Sequence, residues 1–382
     1  RAFQSNVPET ITQIISVKDN SAASYYAAAG KVIYALDATG KTLRQFAAPT
    51  DIRKIHWWPQ AKLLVVGTTD QKVLAFTADG NLKWTFQSEM DPAVYAAGKT
   101  YWFNTAPGHG GIHGLDSGVF IDNQSQLFVG SACTLEILDA NGKLIKRMPQ
   151  FWGPPALFQL IPAGDGSVNL LASRDITSGP VPHVINSKTL SPDPSGYNAV
   201  PAGFTYVGGW IDQRRMHYFY VDLDGDGNKE LVSDITGVWN RISTWDVGGN
   251  PLHTIYFGPG PSPYKGMNAF AATLIRDTDV GDIDGDGKPE IVTALSNGLI
   301  VVLDGKCQIK WSRRVSGAPS ALKIVGQTIV IGQEDGTVFT LNGKGEFQST
   351  FKTSGAVNDL LPSSGNSVLV VNDKDIEEFK VP

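Results

Sequence analysis

The chain of 382 residues contains no run of about 18 apolar residues, so no part of it is long and apolar enough to span a membrane as a helix. It is also short of charge. Asp, Glu, Lys and Arg make up 18% of it and the net charge is −5, which excludes the basic stripe that a nucleic-acid partner requires. Apolar residues never repeat every 3.6 positions for more than about two turns, which excludes a helical scaffold. Cysteine is nearly absent. The two present, Cys133 and Cys307, fall in repeat units expected on opposite sides of a ring, and bridged Cα atoms must come within about 7 Å, so no disulfide is expected. So few cysteines leave the compartment open. The chain starts at Arg1 with neither Met nor an apolar signal region, as expected of a mature or trimmed chain.

Turn-forming residues are abundant, with 41 Gly and 22 Pro. They punctuate a repeated hairpin signature: an apolar run, then Asp or Asn with Gly, then a strand ending in a large apolar residue. It reads VIYALDATGK at 32–41, leading to Phe46, and VLAFTADGNLKWTF at 73–86. It returns as LEILDANGKLIKRM at 135–148, at 242–257, as IVVLDGKCQIKW at 300–311 and as VFTLNGKGEFQSTF at 338–351. Gly accepts the positive φ of a tight hairpin turn, so each copy predicts two antiparallel strands. Copies spaced by roughly 40 to 60 residues, with one double-length gap, predict an all-β propeller.

Each blade takes four strands, a to d, with the signature forming c and d. Blade 1 uses 11–17 and 24–29 before its hairpin. Blades 2 to 7 follow at 52–86, 112–148, 155–190, 211–257, 270–315 and 318–351. The tail supplies three strands, 357–361, 367–371 and 376–381, and residues 2–7 supply the fourth. Pairing the two termini removes a free sheet edge. The count is eight blades in a single domain, or seven if the proline-rich blade 4 is an elaborated connection.

Two loops carry carboxylates on alternate residues, DLDGDGNKE at 222–230 and DIDGDGKPE at 282–290. Such oxygen cages suit a hard cation. Calcium is expected on Asp222, Asp224, Asp226, the Asn228 carbonyl and Glu230. A second ion is expected on Asp282, Asp284, Asp286, the Lys288 carbonyl and Glu290. Both would be structural, and weak calcium sites fill in an extracellular or periplasmic setting.

The hairpins resemble the PQQ-like repeat, in which a Gly-Lys turn leads to a strand ending in Trp. Trp84 and Trp311 match that position; Phe46, Met148, Phe257 and Phe351 depart from it. The resemblance implies the fold and no quinone cofactor, since the chain has no adjacent cysteine pair, and outer-membrane assembly propellers share the repeat without one. The acidic loops resemble those of FG-GAP/VCBS-type calcium-binding propellers, where Asp-Gly-Asp-Gly precedes Glu and an apolar pair, as at Glu230-Leu231-Val232 and Glu290-Ile291-Val292.

The longest insertions, 87–111, 149–154, 172–184, 191–210, 235–241 and 258–269, all fall on the d–a and b–c connections of blades 3 to 6. One face is thus elaborated, and loops on a rigid scaffold are where binding concentrates. Trp152, His183, Tyr206, Trp210, Trp239, Arg241, Tyr264 and Lys265 lie in or beside them. Rings beside cationic and hydrogen-bonding groups suit a polysaccharide or other glycan; a protein partner on this face is the alternative. The stretch GHGGIHGLD at 108–116 allows close backbone approach and places His109 and His113 at the start of a strand.

Two functions remain open. Cleaving a uronate chain by β-elimination needs a group to neutralise the carboxylate, a base and an acid. His113 or His109, Tyr197, and Arg214 or Arg215 would supply them. The order of His, then Tyr, then Arg resembles the propeller ulvan lyases, and the calcium loops resemble those of eight-bladed rhamnogalacturonan lyases. The other reading is a secreted propeller that recognises a glycan or protein with no chemistry. Fold alone does not choose.

Overall fold

The structure, a computed structural model, describes residues 2–19, 23–98, 110–150, 153–174, 182–193, 197, 205–206, 213–237, 240–257, 264–265 and 273–382. Among them are eight four-stranded antiparallel sheets, the blades of a β-propeller, and one helix, Pro92–Gly98. Eight blades is therefore the count. Blade 4 is a true blade, although its fourth strand shrinks to Pro192–Asp193. The last blade combines Asp359–Pro362, Ser367–Val371 and Asp375–Lys380 with the N-terminal strand Phe3–Asn6, and Phe3 pairs with Glu378. Blades 1 to 4 form one compact unit (8–196). The other unit holds blades 5 to 8, with residues 1–7 and 197–382.

Burial follows position within the blade. Second strands such as Leu63–Thr68 and Glu290–Leu295 are buried at every residue, which is why they read as unbroken apolar runs. Fourth strands such as Thr42–Ala47 and Phe347–Lys352 alternate between half-buried and exposed, the period-2 signature of an outer strand with one solvated face. First strands of blades 1 to 7 share a bulge near their start, between Ile52 and Lys54 in blade 2 and between Ile275 and Asp277 in blade 6.

The Gly-Lys hairpins hold neighbouring blades together. In blade 3, Asp139 accepts from the amides of Asn141 and Lys143, both at 2.9 Å, and Gly142 at φ 77° closes the turn. The Trp84 ring of blade 2 lies over this glycine, so close that an added Cβ would come within 2.5 Å of the ring. Its Nε1 donates to the Ala140 carbonyl at 3.0 Å. Trp311 of blade 6 does the same to blade 7, lying over Gly345 and donating to Gly343 at 2.9 Å. Trp84 and Trp311 are thus clasps onto the next blade's turn.

Close approach also fixes Gly343, where a Cβ would meet the Ile283 carbonyl oxygen at 2.1 Å. Gly343→Ala is expected to lose about 2 kcal/mol by overpacking against backbone that cannot move aside, read as a lower urea midpoint.

Candidate functional site

Both acidic loops join the first and second strands of their blades. Asp222 accepts from the amides of Gly225 (2.7 Å) and Gly227 (2.8 Å), while Glu230 accepts from Leu223 at 2.8 Å. The second loop repeats this, with Gly285 at 2.7 Å and Gly287 at 2.9 Å from Asp282, and Ile283 at 3.0 Å from Glu290. As a result, one carboxylate oxygen each from Asp222, Asp224 and Glu230 gather within 4.8 Å of one another, as do those of Asp282, Asp284 and Glu290. Asp226 and Asp286 instead accept from the amides of Asn228 and Lys288 at 2.7 and 2.8 Å. Three of each expected ligand set therefore converge.

The donor set of the first loop fits a hard cation. Burial, and then repulsion from Asp224, Asp222 and Asp226, raise the Glu230 pKa, and a bound cation would relieve that repulsion. The loop borders a recess of about 320 Å³ lined by Asp224, Glu230, Leu252, His253, Lys288 and Asp304, among others. The second loop differs at one point. The Lys310 ammonium lies 2.7 Å from Asp284 Oδ2 and 2.7 Å from Glu290 Oε1.

The residues expected to perform β-elimination are placed as follows, His109 lying outside the described residues. Tyr197 is 4% exposed. Its ring lies over Gly249 in the blade 5 hairpin, 3.0 Å from where a Cβ would be, and its hydroxyl donates to the Val247 carbonyl at 2.8 Å. Val247 follows Asp246 in that turn as Ala140 follows Asp139. Tyr197 therefore makes the contact that Trp84 makes on blade 3. Burial, then Asp246, pushes its pKa up to about 12. His113 is 2% exposed and occupies the first-strand bulge of blade 3, between Ile112 and Gly114. The glycines around it serve packing: a Cβ on Gly111 would meet Thr68 O at 2.7 Å, and one on Gly114 would meet Pro155 O at 2.7 Å. Arg214 is exposed. Arg215 is buried, with its guanidinium 5.4 Å from the Tyr218 ring centre and 5.5 Å from that of Trp245.

Of the expected ligand-binding residues, His109, Trp152, Trp210 and Trp239 lie outside the described residues. Tyr206 pairs with Tyr264, and Thr205 with Lys265, so two separate insertions meet in one small antiparallel sheet. Nothing in their sequences signals that pairing. His183 opens the third strand of blade 4; burial, and then Arg174, hold its pKa down at about 4, leaving a neutral imidazole. Arg241 is buried and pairs across the sheet with Tyr256. The 87–111 insertion holds the helix, with Asp91 capping the Ala93 amide at 2.8 Å, Pro92 at the first helical position, and Val94 packed on Ala132 and Cys133. Cys133 and Cys307 are both buried, and no disulfide joins them.

Sequence reading misses a charged cluster on the first two strands of blade 5 and the first strand of blade 6. His217 Nδ1 lies 3.0 Å from Asp234 Oδ2, and its Nε2 lies 3.3 Å from Asp277 Oδ1. Asp277 also accepts from the Leu322 amide of blade 7 at 2.7 Å. Burial alone would lower the His217 pKa, but Asp234 and Asp277 raise it to about 9.

No protein-family model matches the chain, and no curated protein matches it. Solved structures do. Saccharomyces cerevisiae Sqt1 is similar at 12% identity, covering 100% of this chain and 98% of that one, with a TM-score of 0.71. BamB from Moraxella catarrhalis is similar at 15% identity, over 99% and 98% of the two chains, with a TM-score of 0.62. The Dos1 propeller is similar at 12%, over 99% and 94%, with a TM-score of 0.63. At these identities the likeness establishes the β-propeller fold and says nothing of ligand or activity.

Proposed function

We propose that this protein is a secreted or periplasmic recognition propeller that binds glycan through its inserted loops and performs no chemistry on it. The observation that carries this reading is Tyr197, the tyrosine that β-elimination would need as its proton carrier. Its hydroxyl already donates to the Val247 carbonyl in the blade 5 hairpin. A phenol held at a pKa of about 12 and 4% exposed is poorly suited to exchange protons with a chain of sugars. The aromatic residues of the insertions, Trp152, Trp210 and Trp239 among them, then serve as stacking surfaces for sugar rings.

The test is ultraviolet absorbance during incubation with ulvan, rhamnogalacturonan, glucuronan and alginate, since β-elimination leaves an absorbing unsaturated uronate. A flat trace is expected, together with retardation on glycan affinity gels that weakens in Trp210→Ala and Trp239→Ala. A rising trace would establish the lyase instead.

Calcium in this reading stiffens the scaffold at Asp222, Asp224 and Glu230. With free calcium at ten times its Kd, the stability of the wild type should rise by about 1.4 kcal/mol. Asp224→Asn should abolish the gain. Thermal unfolding with and without a chelator measures both.

A further inference from the structure

The two acidic loops are near-copies in sequence and backbone hydrogen bonding, yet the residue that the fourth strand of the blade sets beside each is different. Lys310 is the second residue of the fourth strand of blade 6, Ile309–Arg314, in which Ile309 pairs with Leu303. The fourth strand of blade 5, Pro251–Tyr256, has Pro251 paired with Trp245, so its second residue is Leu252. At this matching position one loop has an alkyl side chain beside it, in a recess that Lys288 and Lys306 also line, and the other has an ammonium group directly on its carboxylates. That ammonium contacts two of the three converging carboxylates, Asp284 and Glu290, at 2.7 Å each. Calcium would need those oxygens at about 2.3–2.6 Å, in the space that Nζ holds. Two cations sharing the same pair of oxygens would also repel each other strongly at that range.

We infer that Lys310 is a tethered cation that takes the place of calcium in the second loop, so that only the first loop binds the metal. This rests on the reading of these loops as calcium cages. It departs from the sequence, in which both loops are equal. The lysine supplies the positive charge the loop needs and makes blade 6 independent of calcium. Blade 5 remains responsive to it. Glu290 is 2% exposed, so its charge is the one that most needs a partner, and Lys310 provides it without an ion.

Calcium titration calorimetry on the full chain tests this directly. The wild type is expected to bind one ion, lost in Asp224→Asn and unaffected by Asp284→Asn. Lys310→Met is expected to bind two, with the second removed by adding Asp284→Asn. Lys310→Arg, which keeps the charge, should stay at one. A wild type that binds two ions, one of them lost in Asp284→Asn, overturns the inference. So does a Lys310→Met protein that binds no more calcium than the wild type. A wild type that binds none beside a Lys310→Met protein that binds one would uphold Lys310 as the blocking cation while removing calcium from the first loop. If Lys310→Met is unfolded in chelator, refolding on calcium addition counts as the gained site. Failure to refold transfers the titration to Lys310→Gln, judged by the same criterion.

Discussion

Tyr197→Ala is expected to lower stability by about 3 kcal/mol, while Tyr197→Phe lowers it by about 1 kcal/mol. The difference between the two variants separates the parts of the clasp. Phenylalanine keeps the ring over Gly249 and forfeits only the hydrogen bond to Val247, whereas alanine empties the space that the ring fills. Urea unfolding of both variants, followed by tryptophan fluorescence, measures the shifts. The effect should be local as well as global. Amide exchange in the hairpin at 246–250 should accelerate, because the Tyr197 amide also donates to the Gly249 carbonyl at 3.0 Å and anchors the turn. A catalytic tyrosine makes the opposite pattern. Tyr197→Phe would then fold as well as the wild type and release no unsaturated uronate. Full stability in Tyr197→Ala would sink the clasp.

That residue also shows where sequence reading stops. The hairpins are legible because their chemistry is local: an Asp side chain, a glycine at positive φ and an alternating strand all lie within a dozen residues. The same locality makes the acidic loops legible, down to the convergence of Asp222, Asp224 and Glu230. The blade count follows because each unit repeats these signals, and the terminal strand pairing resolves the tail. The packing of Tyr197 on Gly249 is not legible, because the fourth strand of blade 4 shrinks to Pro192–Asp193 and the tyrosine, coming after it, reads as part of a loop. Lys310 is overlooked for a different reason. It is 20 residues from Glu290, and only the fold brings it to the carboxylates. His217 and Asp277 belong to the same class. Polar residues on first strands read as ordinary solvated positions until neighbouring blades are set side by side.

Raising the pH from 6 to 10 is expected to remove on the order of 2–3 kcal/mol of stability through His217, and the loss should be absent in His217→Gln. The ring is 29% exposed at the side chain but lies between two carboxylates, Asp234 on one nitrogen and Asp277 on the other. They hold its folded pKa near 9, against an ordinary value of 6.5. The folded state therefore binds the proton more tightly than the unfolded chain. Its contribution is complete below about pH 6.5 and fades as the pH rises through about 9. Asp277 adds to the trend at lower pH: burial raises its pKa to about 6, against the pull of His217, so its ionisation also costs stability as the pH rises. Urea midpoints of wild type and His217→Gln, taken at half-unit pH steps, isolate the histidine. The gap between the two should be widest near pH 6 and close towards pH 10. A gap that does not change with pH would mean that His217 acts through packing on Phe219, whose ring centre lies 5.3 Å away, and not through its charge. The buried carboxylate of Asp234 explains why the charge should matter: with a neutral ring beside it, an ionised group at zero exposure loses its counter-ion.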